Sequence, residues 1–291
     1  MPEADRSVKV SNRDKVFWPR TGFTKGDLID YYDAVAPHMV AHLAGRPITL
    51  RRWPDGVEGQ TFFQKNAPKH RPDWMGTVRL GEVDYLRIDE PAALVWAANS
   101  AAIEIHPGLA VAPNLDQPSA VVFDLDPGEG SDVLTCCRVA LLLRGYLDRL
   151  GLVAWPKTSG SKGLQLYVPL NDGTTYEATR PFAETVARVA ESEHPDLVTS
   201  AIEKSSRRKK VLIDWAQNAP SRTTVAVYSI RARELPSVST PVTWDEVGQA
   251  RSVADLTFDT AAALQRLARM GDLMSPVLTE VQHLPEGRVR S

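Results

Sequence analysis

The chain has 291 residues, 43% hydrophobic and 24% charged, with 34 Lys and Arg against 36 Asp and Glu. That composition suits a globular protein with a sizeable core, long enough for two packed modules, and excludes disordered and fibrous classes. A formal net charge of −2 excludes a uniformly basic nucleic-acid binder, so any such surface needs local clusters of Lys and Arg.

Cys136 and Cys137 are adjacent on an expected helix, which leaves no disulfide framework and no cysteine zinc site. No apolar run approaches the roughly 20 residues that span a bilayer, and the N-terminus lacks a signal-peptide pattern. The expectation is a cytoplasmic protein with no membrane partner.

In chain order, Thr24 reads as the N-cap of a helix over residues 25–43, with Asp27 in its first turn. Its stripe of Leu28, Tyr32, Val35, Met39 and Leu43 reads as core. Strands follow over 47–53 and 61–65, then a helix over 91–102 and strands beginning near Ile103 and Val121. A helix over 132–150, a strand around Gln165 and a helix over 176–192 come next. Strands near Val211 and over 224–230 precede short helices near Trp244 and over 258–270. The alternation is α/β, with no repeat and no low-complexity tract. The Pro-punctuated stretch from Met274 is expected to wrap the surface or fray.

Chemistry concentrates in Val121-Val122-Phe123-Asp124-Leu125-Asp126-Pro127-Gly128. Strand side chains alternate, so Asp124 and Asp126 share one face and Leu125 takes the other. Two neighbouring carboxylates repel unless a cation lies between them, and hard oxygen ligands suit magnesium or manganese. The same residues could simply end a strand. Thr158-Ser159-Gly160-Ser161-Lys162-Gly163 before an apolar strand could cradle a phosphate through backbone N–H groups, hydroxyls and one lysine. It could equally be a structural turn, and it lacks P-loop spacing. Asp214, ending Val211-Leu212-Ile213-Asp214, is a costly place for an unpartnered charge. It could pair with an arginine or join Asp124 and Asp126, as in two-metal phosphoryl transfer with ions roughly 3.5–4 Å apart.

These segments occur in a fixed order with Asp214-Trp215-Ala216-Gln217-Asn218 and Tyr228-Ser229-Ile230-Arg231-Ala232-Arg233. Upstream lie Asn12-Arg13-Asp14-Lys15-Val16-Phe17-Trp18-Pro19, Arg51-Arg52-Trp53-Pro54 and Phe62-Phe63-Gln64-Lys65. Together they make the chain resemble the polymerase domain of bacterial ATP-dependent DNA ligase D, in the archaeo-eukaryotic primase superfamily. The resemblance covers nearly the whole chain. It implies that Asp124, Asp126 and Asp214 hold two divalent ions, Mn2+ or Mg2+, with His106 beside them. It implies that Ser159, Lys162 and Arg231 surround a nucleoside triphosphate, with Arg51 and Gln217 as further polar positions of the cleft. By the same resemblance, Phe62 and Phe63 stack on bases, Lys15 and Lys25 bind the 5′-phosphate of a DNA break, and Arg207 lines the cleft. Lys65 belongs to a basic cluster next to the Phe pair and is a candidate DNA contact.

Gln165 departs from the pattern, since family members commonly carry histidine there. A glutamine amide can donate to a phosphate oxygen but cannot become cationic, a loss of roughly 1 kcal/mol.

The expected fold is mixed α/β: a primase-like single domain with an RNA-recognition-like catalytic sheet over residues 116–275. Residues 8–115 would form an N-terminal DNA-end module, and 276–291 a tail. No K-x-D-G ligase signature appears, so a stand-alone polymerase module is expected, beside a separate ligase and Ku. The implied function is template-directed nucleotidyl transfer at 5′-phosphorylated gaps or ends, favouring ribonucleotides, in a bacterial, nucleoid-associated setting. The rival readings are a primer-initiating primase and a non-catalytic DNA-end-binding module.

Overall fold

The computed structural model describes residues 6–285, with the side chain of Lys204 excepted. Two short strands, β1 (Val16–Trp18) and β2 (Phe23–Thr24), lead into helix α1 (Lys25–Met39). Thr24 Oγ1 accepts from the Asp27 N–H at 3.1 Å, and the Asp27 carboxylate accepts from the Thr24 N–H at 2.7 Å. This reciprocal cap satisfies two of the donors that a helix start otherwise leaves open. The regular helix stops at Met39, and a 3-10 turn carries the chain through His42.

A first sheet gathers β3 (Ile48–Arg52), β4 (Phe62–Gln64), β5 (Thr77–Leu80) and β6 (Val83–Leu86), in the order β4-β3-β6-β5. After helix α2 (Pro91–Asn99), strand β7 (Ala102–Pro107) returns to pair antiparallel with β3. The β5–β6 hairpin escaped the sequence reading, its main cue being Gly81 at φ +61°.

The second sheet forms around β8 (Ala120–Pro127). Helix α3 (Val133–Arg149) follows, then β9 (Trp155–Thr158), β10 (Leu164–Pro169), helix α4 (Tyr176–Glu193), β11 (Val198–Thr199) and β12 (Val211–Asp214). Strand order is β11-β12-β8-β10-β9, with β10 inserted antiparallel between β8 and β9. This is a split β-α-β arrangement, the RNA-recognition-like topology. Phe123, Leu125, Leu164, Leu166 and Ile213 cover one face and join α3 and α4 residues such as Val139, Leu143, Phe182 and Val186 in one core. Each such side chain contributes about 1.5–3 kcal/mol by leaving water. With that face committed to the core, the alternate residues face the other way.

The expected strand over 224–230 is corrected. Only β13 (Ile230–Ala232) is regular, paired with β14 (Pro236–Val238). Tyr228 sits at φ +65°, which breaks a ladder. The preceding segment switches partners: Ala226 N–H donates to Ile105 O and Tyr228 N–H to Ser239 O. That crossing carries Ala226, Val227, Tyr228, Ile230 and Val238 into the core of the first sheet, so the two modules interleave.

Helices α5 (Trp244–Gln249), α6 (Thr260–Met270) and α7 (Pro276–Thr279) close the chain. Beyond α7, Gln282 Nε2 donates to Val153 O at 3.0 Å and Pro169 O at 3.1 Å, and its Oε1 accepts from the Val153 N–H. The described tail therefore straps the β9–β10 side; residues 286–291 of the expected tail lie outside the described residues.

Candidate active site

Backbone register builds the site. Asp214 on β12 stands opposite Asp124 on β8, Gln165 on β10 stands opposite Asp124 from the other side, and Lys157 on β9 stands opposite Gln165. Directly opposed residues share a face, so one row crosses four strands: Asp214, Asp124, Gln165, Lys157. Asp126, two residues along β8, shares that face. The apolar alternates between them fill the core beneath.

A cleft of about 440 Å³ opens on the Asp124, Asp126 and Gln165 part of this face, lined also by His106, Ser159, Lys162, Arg207 and Arg231, among others; Asp214, Lys157 and Arg51 are not among its lining residues. Clefts of roughly 300–1,000 Å³ are the usual size for small-molecule sites. Eight of the sequence-selected residues thus meet in one hollow.

The acids are under electrostatic pressure. Burial, then the charges of Asp126 and Asp214, push the Asp124 carboxyl up to about 7; the Gln165 amide and Lys157 work against this. Burial and Asp214 raise Asp126 as well. Asp214 spends its carboxylate locally, accepting from the Ala216 N–H at 3.1 Å and Gln217 Nε2 at 2.9 Å, which caps the 3-10 turn Trp215–Gln217. Among the described residues, no group of three or more His, Cys, Asp or Glu side chains is gathered closely enough to hold a metal ion. Two hard, half-buried, mutually repelling carboxylates nevertheless fit a divalent cation by donor type.

The loop 159–163 closes on itself. Ser159 Oγ accepts from the Ser161 N–H at 3.3 Å and the Gly163 N–H at 3.1 Å. Those two N–H groups are therefore engaged, which narrows the expected phosphate nest. Gly160 has φ +64°, and a Cβ there would meet Ser239 N at 2.6 Å; one on Gly163 would lie 2.1 Å from Leu125 O. Both glycines are demanded by close backbone approach.

Arg231 NH1 donates to Ser159 O at 2.9 Å, which ties β13 to this loop. Arg207 Nε and Arg51 Nε are buried donors without a hydrogen-bond partner among the described residues, whereas Arg231 Nε meets the Glu104 carboxylate at 3.2 Å as an ion pair without hydrogen-bond geometry. Such donors suit anionic oxygens.

Other selected residues lie outside the hollow. Phe63 is 59% exposed on β4, sits edge-on to His106 with ring centroids 6.1 Å apart, and carries the Arg51 guanidinium 5.1 Å from its ring. Phe62, 45% exposed, is covered in part by Arg52. The pair offers exposed rings beside the cleft. Gln217 reaches the row only through Asp214. Lys65 is exposed and follows β4. Lys15 and Lys25 lie next to each other away from the hollow: the Lys25 N–H donates to Lys15 O at 2.8 Å. There Lys15 Nζ pairs with Asp55 at 2.8 Å and Lys25 Nζ donates to Ser11 O at 2.7 Å.

Three residues went unselected in the sequence. Arg233 lines the cleft, two positions after Arg231. Lys157 is buried and donates to Gln165 Oε1, Ser239 Oγ and Val225 O. Burial lowers its ammonium to about 7, with Asp124 acting in the opposite sense. Glu104 sits two residues before His106 and binds it. Strand alternation from His106 could have flagged Glu104, whereas Lys157 meets Gln165 only through the β9–β10 register; nothing local marks the burial of either.

No described helix is long and apolar enough to cross a membrane. Residues 24–274 match the family model described as LigD, primase-polymerase domain. The multifunctional non-homologous end joining protein LigD of Mycolicibacterium smegmatis is 41% identical over 276 residues, 93% of this chain and 36% of that protein. The bifunctional Bacillus subtilis LigD is 32% identical over 265 residues, 91% of this chain and 43% of that protein. The chain thus spans about two-fifths of the curated relatives it matches. A solved structure, the polymerase domain of Mycobacterium tuberculosis ligase D in complex with DNA, superposes with a TM-score of 0.88 at 40% identity. That match covers 96% of this chain and 100% of the other. On the family match, the identities and the shared fold, the chain belongs to the LigD primase-polymerase domain family, an archaeo-eukaryotic primase fold.

Proposed function

We propose that the chain is a metal-dependent, template-directed nucleotidyltransferase that extends or fills primers at 5′-phosphorylated DNA gaps and ends during non-homologous end joining, favouring ribonucleotides. The observation that carries the reading is Asp124, Asp126 and Gln165 on the floor of a cleft rimmed by Arg207, Arg231 and Lys162, with Asp214 opposite Asp124 in the strand register. Acids on the floor and cations on the rim suit a triphosphate carrying divalent ions.

Asp124 and Asp126, joined by Asp214 once its capping bonds give way, would hold Mg2+ or Mn2+. When bound, such ions neutralise charge on the reacting phosphate oxygens. Lys162, Arg231 and Arg207 would neutralise and orient the triphosphate, and Ser159 keeps the loop in shape. Phe62 and Phe63 would stack on bases. The side chains act by position and charge, and none needs to become a covalent nucleophile. Lys15 and Lys25 would receive the 5′-phosphate, with Arg207 and Lys65 along the DNA; Ku and a ligase are the partners such a reaction calls for, in the bacterial cytoplasm at the nucleoid.

The test is primer extension on gapped, 5′-phosphorylated duplexes against unprimed template, with ribo- and deoxyribonucleotides. Asp214→Asn keeps an acceptor for the 3-10 turn while removing the charge, so it should fold normally and extend no primer. Full extension by that variant rules out the assigned metal site; synthesis on unprimed strands favours the initiating primase.

A further inference from the structure

Glu104 on β7 is only 1% exposed, where an unpaired carboxylate would be costly. Four groups converge on it. Its Oε2 lies 2.9 Å from His106 Nε2 and 3.6 Å from Arg51 NH1. Its Oε1 lies 3.2 Å from Arg231 Nε and accepts from the Ala232 N–H at 3.1 Å. Three separate elements, β3, β7 and β13, are thereby fastened to one side chain.

We propose that Glu104 is the positioning residue of this site: it holds His106 as the neutral Nε2–H tautomer and yokes Arg231 to Arg51. The inference rests on the polymerase reading for its consequence, but its geometry is independent of it.

The tautomer follows from hydrogen-bond chemistry. An ionised carboxylate only accepts. Glu104 stays ionised because His106, Arg231 and Arg51 together outweigh burial, the largest single influence, and bring its carboxyl down to about 2. Nε2 of His106 must therefore donate. Burial keeps the imidazole from charging, and although Glu104 opposes this, Arg231 and Arg51 add to it. A neutral ring carries one N–H, so Nδ1 is left as an acceptor. His106 lines the cleft, where that nitrogen can accept from a hydroxyl of a bound nucleotide or primer; an Nδ1–H tautomer would offer a donor instead.

The yoke has a second consequence. Arg231 gives NH1 to Ser159 O, holds Nε 3.2 Å from Glu104 Oε1 and lines the cleft. Arg51 lies against the rings of Trp53 and Phe63. Glu104 thus sets the triphosphate side and the base-stacking side of the cleft relative to each other.

The test uses the full chain with 15N-labelled histidine and long-range 1H–15N NMR, His106 being identified through His106→Ala. The wild type should show the Nε2–H tautomer at neutral pH, and Glu104→Gln should lose it. An Nδ1–H tautomer or an imidazolium in the wild type overturns the proposal, with no variant needed. In primer extension, Glu104→Gln should lower kcat/KM for the nucleotide about 10–100-fold, the range for lost orienting partners. In a His106→Ala, Arg231→Ala background it should cost less than about threefold, because the groups it orients are gone. Equal losses in both backgrounds refute the positioning role. A wild type with the Nε2–H tautomer that extends no primer refutes the polymerase reading alone.

Discussion

Lys157 Nζ donates to Gln165 Oε1 across 2.6 Å, behind the strand that bears Asp124. The lysine also donates to Ser239 Oγ at 2.7 Å and Val225 O at 3.0 Å, so all three of its protons are placed. With its oxygen held by Lys157, the Gln165 amide turns its nitrogen toward Asp124, whose ionised form it favours. Gln165 is thus tied to the acid row as well as lining the cleft, with Lys157 directly behind it.

That pairing predicts how position 165 tolerates change. A neutral histidine can accept from Lys157 with one ring nitrogen and donate with the other, so Gln165→His should alter stability by less than about 1 kcal/mol. Gln165→Leu leaves a buried ammonium proton without an acceptor and should cost about 1–3 kcal/mol. Urea midpoints of the two variants check this; a leucine variant as stable as the wild type would show that the amide anchors nothing.

Gly163 makes the sharpest steric prediction. Its missing Cβ would lie 2.1 Å from Leu125 O, between the two acids of β8. Gly163→Ala must push β8 and β10 apart, an overpacking that typically costs about 1–3 kcal/mol. Extension activity should fall by far more than the melting temperature suggests, because Asp124 and Asp126 flank the displaced carbonyl. A variant of ordinary activity would mean that the loop moves freely away from β8.

Acid stability should depend on two carboxylates outside the acid row. Asp272 accepts from His42 Nε2 at 2.7 Å, Tyr228 Oη at 2.7 Å and the Met274 N–H at 3.0 Å. Burial opposes its ionisation, yet these partners together hold its carboxyl below the ordinary value, and Glu104 is brought down to about 2. A folded pKa below the unfolded one means stability that is present above about pH 4 and lost as pH falls toward the folded value. For Glu104 the difference is worth about 3 kcal/mol. Melting temperature should therefore drop steeply between about pH 4.5 and 2, and Asp272→Asn, less stable at pH 7, should show a shallower drop. A parallel curve for that variant would remove Asp272 as a source of acid sensitivity.

Much of this architecture could be read from residue pattern, and the misses share a cause. The capped helix after Thr24, the acid pair on one face of β8 and the alternation of β10 are local consequences of spacing. The β5–β6 hairpin and β9 are short, with weak apolar signals. Residues 224–229 look like a strand because Val225, Ala226 and Val227 are apolar and mostly β-branched; they are indeed buried, but that burial comes from bridging two sheets and the ladder is broken at Tyr228. Glu104 and Lys157 escaped because a charged residue inside a strand is ordinarily read as solvent-facing, and only tertiary contacts reveal their partners. The local bonds of Asp214 to its own 3-10 turn were equally invisible to spacing.

Trp18 links the segment of the two lysines to the loop beside the cleft. Its indole Nε1 donates to Arg233 O at 2.8 Å, while its ring packs edge-on to Phe23 at 5.1 Å. Arg20 pairs with Glu234 on the same hairpin. The segment that bears Lys15 and Lys25 is therefore fastened to the loop that follows Arg231. Trp18→Phe keeps most of the buried ring and removes one hydrogen bond, worth about 1 kcal/mol, or a few-fold. If a 5′-phosphate held by Lys15 and Lys25 influences the cleft through this contact, the variant should narrow the preference for 5′-phosphorylated over 5′-hydroxyl gaps by a few-fold. Activity on the hydroxyl substrate should stay near wild type, because nothing in the acid row is touched. Extension rates on the two gapped duplexes, measured side by side, decide it: an unchanged ratio would mean that the lysine site acts on DNA affinity alone.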